Sequence, residues 1–141
     1  MPITLFVSEG ALTDTAQTEV FGELTDIFLR HHNLSGNAFL TPNVIGEVNE
    51  IPRGKSFAGG KQADIAIVEL KVPSFALGTP EQKQSFVADA TDAVLRAGRG
   101  RLGRDRVWVN MVYAVDGLWG VQGQAYTNDQ LLHAVSQAAA A

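Results

Sequence analysis

The chain has 141 residues, of which 45% are hydrophobic and 18% charged, with a formal net charge of −4 and no cysteine. That length holds one ordinary domain that needs no cross-link, and the missing cysteines exclude disulfides, thiolate metal sites and thiol nucleophiles together. The acidic balance works against a nucleic-acid partner, and no apolar run approaches the roughly 18 residues of a membrane span.

Pro2 stands where a cleavable signal would carry its basic segment, and strand-like alternation starts at once. The expectation is therefore no targeting peptide and a cytoplasmic compartment. From Pro2 to Ser8, Ile3, Leu5 and Val7 alternate with more polar neighbours, the period of a half-buried strand. After Gly10, Thr13 or Asp14 caps a helix on which Ala16, Val20, Leu24, Ile27 and Phe28 draw one apolar stripe, ending near His31–Asn33. Val44–Ile51 reads as the next strand, closed by Pro52-Arg53-Gly54. The order then returns. Ile65–Val68 is a buried strand, and Thr79-Pro80-Glu81-Gln82 is a helix start with a cap, a proline at the first position and a glutamine three on. Phe86, Val87, Ala90, Val94 and Ala97 form that helix's apolar face, Gly98 ends it, and Val107–Val115 is the fourth main strand.

Leu24-Thr25-Asp26-Ile27-Phe28-Leu29-Arg30 resembles Ala90-Thr91-Asp92-Ala93-Val94-Leu95-Arg96, so the chain reads as an internal duplication. Repeat one spans 2–60, repeat two 64–123 and a C-terminal arm 124–141, all within one domain. The predicted fold is α+β: a tandem βαβ repeat forming a four-stranded mixed sheet with both helices on one face. The other face is then bare, exposing residues such as Ile67 and Val109 unless another subunit covers them, so oligomerisation is expected. Thr127–Gln137 reads as a short helix that either clasps a neighbour or packs at home, and the alanine tail is expected to fray.

The Met-Pro start before a strand, the duplicated βαβ units and the stretch Glu50-Ile51-Pro52-Arg53-Gly54-Lys55-Ser56-Phe57-Ala58-Gly59-Gly60 together resemble the tautomerase superfamily. The length is closer to the fused-unit branches, akin to cis-3-chloroacrylate dehalogenase, malonate semialdehyde decarboxylase and macrophage migration inhibitory factor, than to the half-length 4-oxalocrotonate tautomerase. The resemblance implies a homotrimer, no cofactor, and catalysis by the secondary amine of Pro2 once Met1 is removed. Asp105-Arg106-Val107-Trp108-Val109-Asn110 is similar to a strand that supplies an aromatic and an asparagine to the pocket, which are Trp108 and Asn110 here. Leu118-Trp119-Gly120-Val121-Gln122-Gly123 looks like the turn that sets an aromatic over the substrate, with Phe57 the counterpart of Trp119 in repeat one.

An ordinary α-amine titrates near pH 8, so only about a tenth is a neutral base at pH 7 and the pocket must lower its pKa. Burial against Phe57, Trp108 or Trp119 does this, and Asn110 can then steady an enolate oxygen. Keto–enol tautomerisation of small 2-keto or enol acids follows. Relatives acting on carboxylates place an arginine where this chain has Ser8–Leu12, the dehalogenase and decarboxylase branches carry an arginine pair where it has Val72–Ala76, and the decarboxylase branch has an aspartate where it has Gly36–Phe39; none of these stretches offers the group. Lys71, Lys55 and Arg53 remain as cations for a substrate carboxylate, Lys71 foremost because its strand is otherwise apolar. Plain alternatives stand beside these. Pro2 also suits the start of an edge strand, Asn110 a buried backbone group, the aromatics a trimer core and the lysines a solvated surface. A non-catalytic trimeric interaction protein that keeps Met1 is the third function in view. Arg96, Arg99, Arg101, Arg104 and Arg106 lack interleaved aromatics for stacking bases, and adjacent His31 and His32 cannot face one metal from a regular helix, so neither nucleic acid nor metal is expected.

Overall fold

The structure, a computed structural model, describes residues 1–140. β1 (Ile3–Ser8) buries Ile3, Leu5 and Val7 completely, as its alternation requires. α1 (Asp14–His31) begins where the Thr13 hydroxyl accepts the Ala16 N–H, and its stripe of Ala16, Val20, Leu24, Ile27 and Phe28 is buried. A short 3₁₀ turn at Thr41–Asn43 delays β2 to Gly46–Ile51, because Val44 N–H is still spent on the turn's carbonyls. β3 (Phe57–Ala58) and β4 (Lys61–Gln62) form a small hairpin. β5 (Ala66–Pro73) leads to α2 (Pro80–Gly98), which opens with both bonds of a capping box between Thr79 and Gln82. After a 3₁₀ turn come β6 (Val107–Ala114), the hairpin of β7 (Trp119–Val121) and β8 (Gln124–Tyr126), and α3 (Asn128–Ala140). The helix thus continues into the alanine tail expected to fray, whose last residue, Ala141, lies outside the described residues.

The four main strands form one mixed sheet in the order β2-β1-β5-β6. β1 and β2 are parallel, as are β5 and β6, and the two halves meet antiparallel between β1 and β5. Each half is a βαβ unit, and α1 and α2 pack together on the same side of the sheet. Phe28 of α1 and Phe86 of α2 meet edge-on with centroids 6.4 Å apart, each buried and each worth roughly 1.5–3 kcal/mol of transfer free energy. Gly46 lets β2 pass beneath α1, since a Cβ there would collide with the Ile3 carbonyl.

Register corrects one expectation. Ile67 does lie on the bare face, but Val109 pairs with fully buried Val68 and packs on the helix side, so the exposed aromatic of that strand is Trp108, opposite Ile67. α3 packs at home in this chain: Leu131 and Val135 are buried, and the Asn37 side chain donates to Val135 O at 2.9 Å while its oxygen accepts from Phe39 and Leu40. Most of the arginine run meets local partners, Arg96 meeting Glu23, Arg104 Asp92, Arg106 Asp105 and Arg101 the Gly10 carbonyl at 2.8 Å. His32 ties the end of α1 to the loop before α2: its Nδ1 donates to Phe28 O at 2.8 Å and its Nε2 accepts from Leu77 N–H at 3.0 Å. Burial lowers its pKa below the ordinary 6.5. No described helix is long and apolar enough to cross a membrane.

Candidate active site

Strand directions decide what surrounds Pro2. β5 runs antiparallel to β1 and β6 parallel to β5, so the C-terminal ends of both arrive beside the N-terminal end of β1. The hairpin β7–β8 follows at once and folds over that end. Its central residues, Gln122 and Gly123, both have positive φ (52° and 79°), the turn whose twist matches the strands it joins. The result is a cavity of about 500 Å³ lined by Pro2, Lys71, Trp119 and residues from the strand ends, among them Ile45, Val112 and Tyr113.

Pro2 is half-buried and held in place. Its carbonyl accepts the Lys71 N–H at 3.0 Å, and the next residue, Ile3, donates to Ile45 O at 2.8 Å. Met1 is only 7% exposed, and its amine donates to the Asn43 carbonyl at the cavity wall. Loss of water around that amine lowers its pKa from 8.0 to about 6. Lys71 alternates with buried Leu70 and Val72, which turns its side chain to the bare face, with Nζ 3.8 Å from Glu69 Oε1. Trp119 is 9% exposed, joined to the core on one side and to the cavity on the other. The Tyr113 hydroxyl donates to Ala76 O at 3.1 Å, fixing that wall to the loop before α2.

Three of the six candidate side chains therefore converge, and three do not. Asn110 and Trp108 lie on the bare face of β6, paired with Glu69 and Ile67, one turn of the pleat or more short of the residues that line the cavity. Phe57 is further away: β2 runs parallel to β1, so the hairpin after β2 lies at the Ser8 end, where the Ser8 and Ser56 hydroxyls are 2.7 Å apart. Six residues of strand separate that end from Pro2, on the order of 20 Å. Within one subunit, then, Trp119 meets Pro2 and its repeat-one counterpart does not. Ile45, Val112, Leu118 and Gln122 line the cavity without having stood out in the sequence. Leu118 and Gln122 left a trace there only as members of the turn that carries Trp119.

The fold recurs in known structures. A wild-type fused 4-oxalocrotonate tautomerase solved as a symmetric trimer superimposes with a TM-score of 0.73 at 16% identity, over 93% of this chain and 98% of that one. A member of the cis-3-chloroacrylic acid dehalogenase family gives 0.73 at 14% identity over the whole of both chains. This chain has the tautomerase-superfamily fold. A malonate semialdehyde decarboxylase inhibited by 3-bromopropiolate shares the tautomerase fold at a TM-score of 0.68 and 12% identity, over 89% of this chain and 92% of that one. No protein-family model matches the sequence, and no curated protein matches it. Tautomerase-fold proteins thus carry several reactions, and the chemistry of this one rests on its own cavity residues.

Proposed function

We propose that this protein is a keto–enol tautomerase of small 2-keto or enol carboxylic acids, working through the secondary amine that Pro2 carries once Met1 is removed. The observation that carries the reading is the desolvated chain start at the cavity, where burial brings an amine down to about pKa 6. That value belongs to the Met1 amine, and the same apolar surroundings act on a Pro2 amine exposed in its place. Desolvation of that kind raises the share of neutral base at pH 7 above the roughly one-tenth of an ordinary α-amine. The neutral nitrogen takes a proton from the carbon α to the carbonyl, the C–H electron pair moves to make an enolate, and the ammonium returns the proton at oxygen or at another carbon. Lys71 grips the substrate carboxylate and Trp119 walls the ring of reaction off from water. Trp108 and Asn110, in this reading, belong to a subunit interface on the bare face. A homotrimer is proposed because Trp108 and Val112 stand half exposed there beside Ile67. Native mass should then come out at three copies of a 15.1 kDa chain.

Protein whose first residue is shown by intact mass to be Pro2 should ketonise an enol acid, and Pro2→Ala should lose nearly all of that rate. Equal rates in the two proteins would end the proposal. Dehalogenation or decarboxylation of a three-carbon acid is the competing chemistry, and release of chloride or carbon dioxide from haloacrylate or malonate semialdehyde tests it. One observation favours a non-catalytic reading instead: Met1 is buried and its amine bonded to Asn43. A native protein that keeps Met1 presents an amide at Pro2 and has no base there.

A further inference from the structure

The connection from α1 to β2, residues 32–45, contains one 3₁₀ turn and no charged side chain after His32. A segment of that length keeps one conformation only where its backbone groups find partners, and Asn37 supplies several of them. Its side-chain oxygen accepts the N–H groups of Phe39 and Leu40 at 3.1 and 2.8 Å, its carbonyl accepts the Thr41 N–H at 3.0 Å, and its amide donates to Val135 O of α3 at 2.9 Å. Asn37 is 5% exposed and does not line the cavity. These bonds lie within one chain, so they hold whatever covers the bare face. From Asn37 the loop leads to the chain start. The Asn43 amide donates to Phe39 O at 2.7 Å, the Asn43 carbonyl accepts the Met1 amine, and the Ile45 carbonyl accepts the Ile3 N–H at 2.8 Å. Asn43 and Ile45 both line the cavity. α3 is itself fastened at its first residue, where Asn128 N–H donates to Asp116 at 2.7 Å and the Asn128 amide donates to Ser74 Oγ at 2.8 Å. The Phe39 and Tyr126 rings add a second contact between the loop and the segment leading into α3, with centroids 6.2 Å apart.

We propose that Asn37 is a positioning residue for the chain-start nitrogen: it ties the loop that carries Asn43 and Ile45 to α3, and through that loop sets how deeply the first residue sits at the cavity. α3 is then the strap that holds the loop down, and Asn128 is its fastening at the other end. On the tautomerase reading, on which the effect on rate rests, the depth of that nitrogen sets how much of it is neutral base. The charged side chain that lines the cavity is Lys71, with Glu69 3.8 Å from its ammonium, and neither is touched by a change at Asn37. A change in the titration of the amine after substitution at Asn37 therefore reads its burial.

The test uses full-length protein with Met1 removed and titrates the chain-start amine directly, by its rate of acetylation with acetic anhydride across pH, read by mass spectrometry of the N-terminal peptide. Asn37→Ser keeps a short oxygen that can cap the turn and is too short to reach Val135 O. It should raise the apparent pKa of the amine toward the ordinary value near 8. With the enol of phenylpyruvate at pH 7 its kcat should fall by about three- to ten-fold, with KM little changed because Lys71 and Trp119 keep their places. Asn128→Ala, which loosens α3 from a side chain at the surface, should move both in the same direction by less. Ser8→Ala, which weakens the fold at the far end of β1, should move neither. An amine pKa that stays at the parent's value in Asn37→Ser, shown by circular dichroism to be folded, would overturn the proposal. If that variant does not fold, an unmoved pKa in Asn128→Ala would do so, as would an equal shift in Ser8→Ala. A shifted amine in a protein that ketonises no enol would leave the positioning role standing and remove the tautomerase reading.

Discussion

The two ends of the sheet belong to a tandem of like βαβ units and are nonetheless different places. At one end the hairpin β7–β8 closes over the chain start and encloses an apolar cavity. At the other, β3–β4 closes over the end of β1 and the start of β5, and the small hollow there, about 300 Å³, is lined by Arg53, Ser56, Gln62 and Asp64. Many of the backbone and hydroxyl groups around it are already bonded: Ser8 accepts from Ile65 N–H at 2.9 Å, Ser56 donates to Ala63 O at 2.8 Å, and Arg53 N–H donates to Glu9 at 2.8 Å. The difference comes from connectivity. A chain start can carry a titratable nitrogen, whereas the equivalent point of the second repeat is joined through Ala63-Asp64 by ordinary peptide bonds whose nitrogens are never basic. On the proposed reading one end serves proton transfer, while the other holds the sheet's middle strands together.

The sharpest way to break this comparison is at Pro2. With Met1 removed, Pro2→Ala should cut ketonisation by about 100- to 10,000-fold, the usual weight of a positioned acid–base group, while thermal stability stays close to that of the parent. Next come the two hairpin aromatics. Trp119→Ala, at the buried position, should cost about 3–5 kcal/mol in denaturant titration and open the cavity wall, whereas Phe57→Ala, 53% exposed, should stay within about 0.5 kcal/mol. A loss of activity in Phe57→Ala with stability unchanged would show instead that repeat one's hairpin reaches a neighbour's cavity.

A smaller effect separates the polar end. Ser8→Ala leaves the Ile65 N–H without its acceptor and should cost about 1–3 kcal/mol with turnover unchanged, since the hydroxyl lies at the far end of β1. A fall in kcat there would show that the two ends are coupled. The smallest effect is a pH dependence at His32, whose folded-state pKa is lowered by burial. The unfolded chain binds the proton first as pH falls through 6.5, so stability drops from there until the depressed folded pKa is passed, and is unaffected above pH 7. Melting temperatures of the parent should fall between pH 7 and pH 5 more steeply than those of His32→Gln, and parallel curves would remove His32 from that role.

Much of the fold was legible because it is written in local terms. The alternation of Ile3, Leu5 and Val7, the three-and-four spacing from Ala16 to Phe28, and the Thr79–Gln82 box each name an element without reference to any other. Two such units in tandem leave few ways to build a sheet. The candidate site was legible only where it coincides with such signals, at Pro2, at Lys71 in its otherwise apolar strand and at the turn that carries Trp119. Asn110 and Trp108 look like pocket residues in a strand read alone, and they share a face with the cavity residues Lys71 and Val112, but pairing with Glu69 and Ile67 sets them further back along β6 than the strand end that lines the cavity.

By itself, then, the sequence determined the repeat, the helix boundaries, the lack of thiol chemistry and the one residue able to become a secondary amine. These depend on composition and on neighbours a few positions apart. Tertiary structure decided the rest. Only antiparallel meeting of the two halves brings Lys71 and Trp119 to Pro2 while carrying Phe57 to the opposite end, because strand direction, which no local pattern encodes, determines which chain ends share a cavity.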